Sequence, residues 1–261
     1  MNTILVSSHR RSGTHFLIDS LRKNVENAEF PNHRHLPADF NLGSLFSKSD
    51  QVYSTFERLI NSSNPVIVKS HLLPEECHIT SPRDKHEALI LEIFVNSKKI
   101  YISRSGQDVL TSLYKYLKPE SSFSAFIREN NDHIVKEIRS PQAYDSNRVS
   151  YWAHHINQWH QEDSVKFVTF TQLMRNFDFT MNDLFQFLDC PAPPEIGKPM
   201  IPNNMLWHNL KKKLNHFGLA DLPESSSVRP NRISDQDKKP VFSTADIQYF
   251  AEHAKAVVPF E

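Results

Sequence analysis

Four short runs of β-branched and aromatic residues, each followed by helical periodicity, restrict this chain to a narrow set of folds. The runs fall at residues 3–7, 65–69, 99–103 and 166–170, and each has an apolar Val/Ile/Phe-rich centre. Short unbroken runs of this kind mark strands buried on both faces. Between them, apolar side chains recur every third or fourth residue. Phe16, Leu17 and Leu21 do so in 14–22, Leu89, Ile90, Ile93 and Phe94 in 86–96, and Val109, Leu110, Leu113 and Leu117 in 107–117. The strongest pattern is 146–159, where Val149, Trp152, Ala153, Ile156 and Trp159 share one helix face. Further helices are expected over 180–188, stopped by Pro191, and over 244–256, with Ser243 or Thr244 as N-cap. Strands alternating with helices predict an α/β fold, a central and mostly parallel sheet flanked by helices. At 261 residues, one domain spanning 1–261 can bury the core this requires.

Glycine is scarce. None of the five is spaced to write G-x-G-x-x-G or G-x-x-x-x-G-K-[ST], which excludes two common nucleotide signatures. Thirty basic and thirty acidic side chains cancel to a net charge of zero. A dedicated nucleic-acid or membrane-surface binder would be basic, so neither partner is expected. Cys77 and Cys190 cannot frame a disulfide scaffold or a cysteine zinc site, which suits a reducing compartment. Ile4-Leu5-Val6 is too short for a signal peptide, and the longest apolar stretch, 88–95, is interrupted by Glu92. A cytoplasmic protein is expected.

Three strand ends carry chemistry. The first run is followed by Ser8-His9-Arg10-Arg11-Ser12-Gly13-Thr14-His15-Phe16, a strand–loop–helix turn. Free N–H groups of a first helical turn favour an anion, and here Ser12 and Thr14 add hydroxyls and Arg11 adds charge. The second run leads into Lys69-Ser70-His71. A histidine there can take a proton from a hydroxyl, and the lysine can neutralise developing negative charge. The third run ends at Arg104, with Ser112 on the second turn of the helix that follows, a pair able to pinch a phosphate. Each cluster alone is compatible with an ordinary surface turn. Together they lie where open α/β sheets bind ligands.

In this order and with these spacings the chain resembles the cytosolic-type sulfotransferases, which use 3′-phosphoadenosine 5′-phosphosulfate. Residues Arg11 to Phe16 look like their 5′-phosphosulfate loop, written Lys-Ser-Gly-Thr-Thr-Trp. Lys69-Ser70-His71-Leu72-Leu73-Pro74 is similar to their Lys-Thr-His-Leu-Pro segment. Arg104 to Ser112 resembles their 3′-phosphate element. Trp152, His155 and Trp159 look like their Trp-x-x-His-x-x-x-Trp helix, and Arg229 to Arg232 with Phe242-Ser243 stand in place of the late loop.

The resemblance implies a P-loop-like sulfotransferase fold and a role for each matched residue. His71 would be the general base, Lys69 would lie close to the transferring sulfonate, and Arg11 would stabilise the leaving phosphate. Ser12, Gly13, Thr14 and His15 would hold the 5′-phosphate. Arg104, Ser112 and Arg229 or Arg232 would bind the 3′-phosphate, and Phe16 and Trp207 would flank the adenine. Transfer of this kind requires no metal. Departures stand beside these matches: Arg11 replaces a lysine, Phe170 stands where the family has a tyrosine, and the late Gly-x-x-Gly-Asp-Trp-Lys pattern is largely absent.

The acceptor is left open between small molecules and glycans, and the chain between monomer and homodimer. Segments 27–50, 75–86 and 118–145 read as the loops that shape an acceptor pocket, lined in part by phenylalanines around 46–56 and 123–126. The histidines at 33, 35, 154, 155 and 160 lack a cysteine or carboxylate at zinc spacing, so no metal site is expected. Two rival readings remain: a P-loop small-molecule kinase, and a non-catalytic nucleotide-binding protein on the same fold.

Overall fold

The computed structural model describes residues 2–28, 41–131, 146–199 and 242–255. Four strands form one sheet: β1 (Thr3–Ser7), β2 (Val66–Ser70), β3 (Lys98–Ser103) and β4 (Val165–Thr169). Their order is β2-β1-β3-β4 and every pairing is parallel, so the expected α/β class is met. The register sets Ser7 beside Ser70 on one side and beside Tyr101 on the other.

Alternation along the strands sorts the core into two layers. Ile4, Val6, Ile67, Ile100, Ile102 and Val168 meet α1 (Thr14–Asn24) and α9 (Phe177–Leu188) through Leu17, Leu21, Met181 and Phe185. Leu5, Val66, Val68 and Tyr101 meet α2 (Asp50–Ile60), α4 (Lys85–Asn96) and α7 (Arg148–His160) through Phe56, Ile90, Phe94, Ile156 and Trp159. Each fully buried aliphatic or aromatic side chain contributes roughly 1.5–3 kcal/mol relative to exposure.

A third cluster joins α5 (Gly106–Leu117), α6 (Phe123–Arg128), α7 and α10 (Thr244–His253). Asp246 latches α10 there. It closes a capping box with Ser243 and accepts from Ser124 Oγ at 2.6 Å and Arg128 Nη1 at 2.5 Å. Burial would raise its carboxyl, but those hydrogen bonds outweigh it and hold the group well below the usual range. Gly106, the first residue of α5, packs against the same helix. A Cβ there would lie 2.5 Å from Phe250 and 2.8 Å from Trp152.

Several expectations need correction. The segments read as loops contain a 3₁₀ turn (Leu42–Ser47), most of the short α3 (Pro74–Cys77) and α6, and the α2 helix went unread. Phe56, Phe123 and Phe126 are buried in the core. The last strand stops one residue early. Thr169 and Gln172 form a reciprocal capping box, with Gln172 N donating to Thr169 Oγ1 at 3.0 Å, and this starts α8 (Phe170–Arg175). Phe170 therefore belongs to a helix. Among the described residues, no helix is long and apolar enough to cross a membrane.

Candidate active site

Strand order dictates where a ligand can sit. The chain passes from β1 to β2 on one side and from β3 to β4 on the other, so the carboxyl ends of β1 and β3 flank the switch point of the sheet. Residues 8–13 follow β1, and Arg104, Ser105 and the start of α5 follow β3.

The loop after β1 is shaped for an anion. Arg11 and Gly13 both take positive φ, 69° and 101°, while Ser12 between them does not. Alternating handedness turns successive N–H groups toward one concave side. A left-handed arginine costs about 1–2 kcal/mol, a strain of the kind held at functional loops. Gly13 has a second constraint, because a Cβ there would lie 2.3 Å from the Phe170 ring. Among the described residues no side chain caps α1, and its first turn carries no acidic group. By contrast Ser49, Asp84, Ser122, Asn147 and Ser243 cap α2, α4, α6, α7 and α10. An uncapped helix start leaves N–H donors and the positive end of the dipole for a ligand. The helix after β3, α5, likewise has no side-chain cap, and Asp108 supplies negative charge in its first turn.

Side chains around this loop link the three strand ends. Arg11 Nε donates to Ser112 Oγ at 3.1 Å and its guanidinium lies 4.9 Å over the Tyr116 ring. Arg104 sits 3.6 Å from Asp108 and 5.0 Å over the Phe170 ring. Ser112 thus joins Arg11 of the first loop to the helix that follows β3. Phe16 packs edge-on against Phe170 and Phe177 at 6.3 and 6.1 Å. Ser8 and Thr14 share a 2.5 Å hydroxyl contact, and Ser12 is buried.

The end of β2 meets the same loop. Lys69 is buried, with Nζ 3.4 Å from His15 Nε2. His71 Nδ1 lies 2.8 Å from the carbonyl oxygen of Ser8. A carbonyl only accepts, so Nδ1 carries the hydrogen and Nε2 keeps its lone pair. Burial first, and then the charges of Lys69 and Arg10, push the His71 pKa well below its ordinary value, against the raising effect of the Ser8 carbonyl. The ring is neutral and its Nε2 is a ready proton acceptor.

The structure therefore brings together Arg11, Ser12, Gly13, Thr14, His15, Lys69, His71, Arg104 and Ser112. Trp207, Arg229 and Arg232 lie outside the described residues. Ser8 and Tyr101 received no role from the sequence, and His155 only a place in the matched helix. Tyr101 OH is 2.9 Å from His155 Nδ1, and His155 Nε2 is 3.2 Å from the His71 carbonyl. Strand register places Ser8 one residue beyond the Ser7–Ser70 pair and Tyr101 on β3 beside it, while His155 comes from α7. No local motif carries that information.

Comparison with known proteins agrees with this architecture. The mouse sulfotransferase SULT7A1, crystallised in complex with PAP, superimposes with a TM-score of 0.54 at 17% identity, over 97% of this chain and 83% of that one. A sulfotransferase from Alicyclobacillus acidocaldarius gives 0.50 at 14% identity, over 85% and 96%. Both likenesses are of fold. Among curated proteins no sequence is significantly similar to this chain. The family profile described as "Sulfotransferase domain" matches residues 1–258, from the first strand through the last helix. With that profile spanning nearly the whole chain, the chain belongs to the sulfotransferase domain family.

Proposed function

We propose that this protein is a cytoplasmic, single-domain enzyme that transfers the sulfonate of 3′-phosphoadenosine 5′-phosphosulfate to a hydroxyl or amine of a small-molecule or glycan acceptor. The observation that carries the reading is the His71–Ser8 hydrogen bond, which commits Nδ1–H to a carbonyl and leaves Nε2 as the base. Family membership supports the class of reaction.

The donor's groups match this chain's residues. The N–H groups of residues 12–14 and the hydroxyls of Ser12 and Thr14, with His15, suit its 5′-phosphate. Arg104 and Ser112, joined by Arg229 or Arg232, suit the 3′-phosphate. Phe16 and Trp207 suit the adenine. In the transfer, the acceptor oxygen forms a bond to sulfur as His71 Nε2 takes its proton. The bond from sulfur to the 5′-phosphate oxygen breaks, and the electron pair leaves with that oxygen. Lys69 and Arg11 supply positive charge where this negative charge grows. No metal is needed in that balance. Positioning and preset charge supply the rate, as in other in-line group transfers.

The charge balance also gives the donor a part in activating the base. Lys69 and Arg10 depress the His71 pKa. Burial is the larger cause of that depression; an anionic donor beside Lys69 and Arg10 offsets their share and raises the His71 pKa toward the range in which a general base works best. The test is turnover with a sulfate-labelled donor across an acceptor library, with thermal shift by adenosine 3′,5′-bisphosphate set against ATP and magnesium. Stabilisation by the bisphosphate together with label transfer is expected. Stabilisation by ATP and magnesium alone would instead favour a kinase.

A further inference from the structure

His155 and Trp159 stand one turn apart on α7, and each holds a carbonyl of the segment that bears His71. His155 Nε2 lies 3.2 Å from the His71 carbonyl oxygen, and Trp159 Nε1 donates to the next carbonyl, that of Leu72, at 3.1 Å. The carbonyl only accepts, so Nε2 of His155 carries its hydrogen and Nδ1 keeps a lone pair. The Tyr101 hydroxyl donates to that lone pair at 2.9 Å. The backbone of His9 hydrogen-bonds the same phenol. His71 closes the circuit by donating from its ring to the Ser8 carbonyl. One ring of hydrogen bonds thus runs from the β2 loop through α7 and β3 to the β1 loop.

Tyr101, His155 and Trp159 are all buried. Burial pushes the Tyr101 phenol far up, and burial with the neighbouring His9 and His154 brings His155 down to about 3. Neither group changes charge near neutral pH. His155 reaches residue 71 at its backbone oxygen and not at its imidazole, so it cannot pass a proton to the ring. Its effect on the ring is geometric.

We propose that His155, Trp159 and Tyr101 are positioning residues for His71, clamping the carbonyls of residues 71 and 72 so that the imidazole keeps the tautomer and direction that present Nε2 to an acceptor. This rests on the reading of His71 as the base. A core that merely satisfies its polar groups would show the same bonds. The two cases part company in what the His71 ring does when a bond is removed.

The experiment uses the full-length protein and the variants His155→Leu, His155→Gln, Tyr101→Phe and Trp159→Phe. A glutamine amide can place an N–H where Nε2–H stood, and leucine cannot. Nitrogen-15 NMR of the His71 ring reads its tautomer without any need for turnover. A single Nδ1–H tautomer is expected in the parent and in His155→Gln, and a mixture in His155→Leu. In turnover, kcat falls roughly ten- to a hundredfold in His155→Leu, the scale of a misplacement near 1 Å. Affinity for adenosine 3′,5′-bisphosphate stays unchanged, and glutamine restores most of the rate. The acid limb of the pH–rate profile moves up as the ring leaves its buried place. Lys69, Arg10, His15 and the Ser8 carbonyl, which face that ring, and His9, His154, Tyr101 and Tyr151, which surround residue 155, are intact in His155→Leu. The shift therefore reports ring position.

A His155→Leu protein that loses stability but keeps the parent tautomer, kcat and acid limb overturns the proposal. If that variant does not fold, Tyr101→Phe, which removes one hydroxyl, carries the same readouts, and parental values in it overturn the proposal. If the parent itself transfers no sulfonate, the reading of His71 as base fails, and the tautomer measurement still decides the clamp.

Discussion

Arg11 and Ser112 are 101 positions apart in sequence and joined by a 3.1 Å hydrogen bond from Nε to Oγ. One belongs to the loop after β1 and the other to the helix after β3. This bond ties together the two chain segments that border the switch point of the sheet. It also holds a guanidinium whose backbone is left-handed, so the side chain has a fixed direction as well as a charge.

Ser112→Ala removes that hydrogen bond and a hydroxyl from the proposed 3′-phosphate element. Affinity for adenosine 3′,5′-bisphosphate should fall about tenfold, the weight of one hydrogen bond to a charged group. Arg104→Ala should weaken the same ligand by on the order of 1–3 kcal/mol. Isothermal titration calorimetry measures both. Unchanged affinity in either variant removes that residue from the site.

His71→Ala should abolish transfer while the bisphosphate binds almost as well as before, because the proposed mechanism uses the ring on the acceptor and not on the nucleotide. Single-turnover assay with the labelled donor separates chemistry from binding. A variant with the parental rate would sink the assignment of the base.

Gly13→Ala meets two penalties that can be told apart. Its φ of 101° is one that L side chains rarely adopt, and its Cβ would strike the Phe170 ring at 2.3 Å. Overpacking costs about 1–3 kcal/mol and the left-handed backbone a further 1–2 kcal/mol or so. Pairing it with Phe170→Ala relieves only the first. Urea unfolding of the single and double variants should show partial recovery against Phe170→Ala alone. Full recovery would mean the backbone carries no strain.

Acid should destabilise the fold well before carboxylates titrate. Burial lowers the pKa of His9 from 6.5 to about 4 and that of His155 to about 3. The unfolded chain then binds more protons than the folded one, so stability is fully present above 6.5 and falls as pH drops from there toward 4 and 3. Chemical denaturation from pH 7 down to about pH 4 should show a loss of a few kcal/mol in total. His155→Gln should flatten part of that slope, and an unchanged slope would show that His155 is not buried neutral.

Much of the fold was legible along the chain. Four apolar runs predicted four strands, each within a residue or so of its place, because strands buried on both faces leave little else to read. The helices with strong periodicity, α1, α4, α5, α7 and α9, followed for the same reason. Asp50–Ile60 was missed although its buried face is Thr55, Phe56, Leu59 and Ile60. Val52, Tyr53, Phe56, Leu59 and Ile60 do recur at helical spacing, but the helix is short and flanked by the polar residues 47–50 and 61–64. Phe170 was misplaced because a capping box formed by Thr169 and Gln172 overrides the β propensity of the run before it.

What the sequence by itself determined is the inventory: an anion-binding turn with Arg11, Ser12, Gly13 and Thr14, a lysine and histidine beyond the second strand, and Arg104 with Ser112 beyond the third. Spacing within one element is local, and local physics sets it. What only the tertiary structure decided is the pairing across elements. Parallel register puts Ser8 beside His71, and the packing of α7 against the sheet puts His155 beside Tyr101. Parallel pairing is non-local, fixed by the packing of helices on both faces of the sheet, and leaves no mark on either segment alone. The tautomer of the proposed base, the most consequential feature of the site, is set by that register.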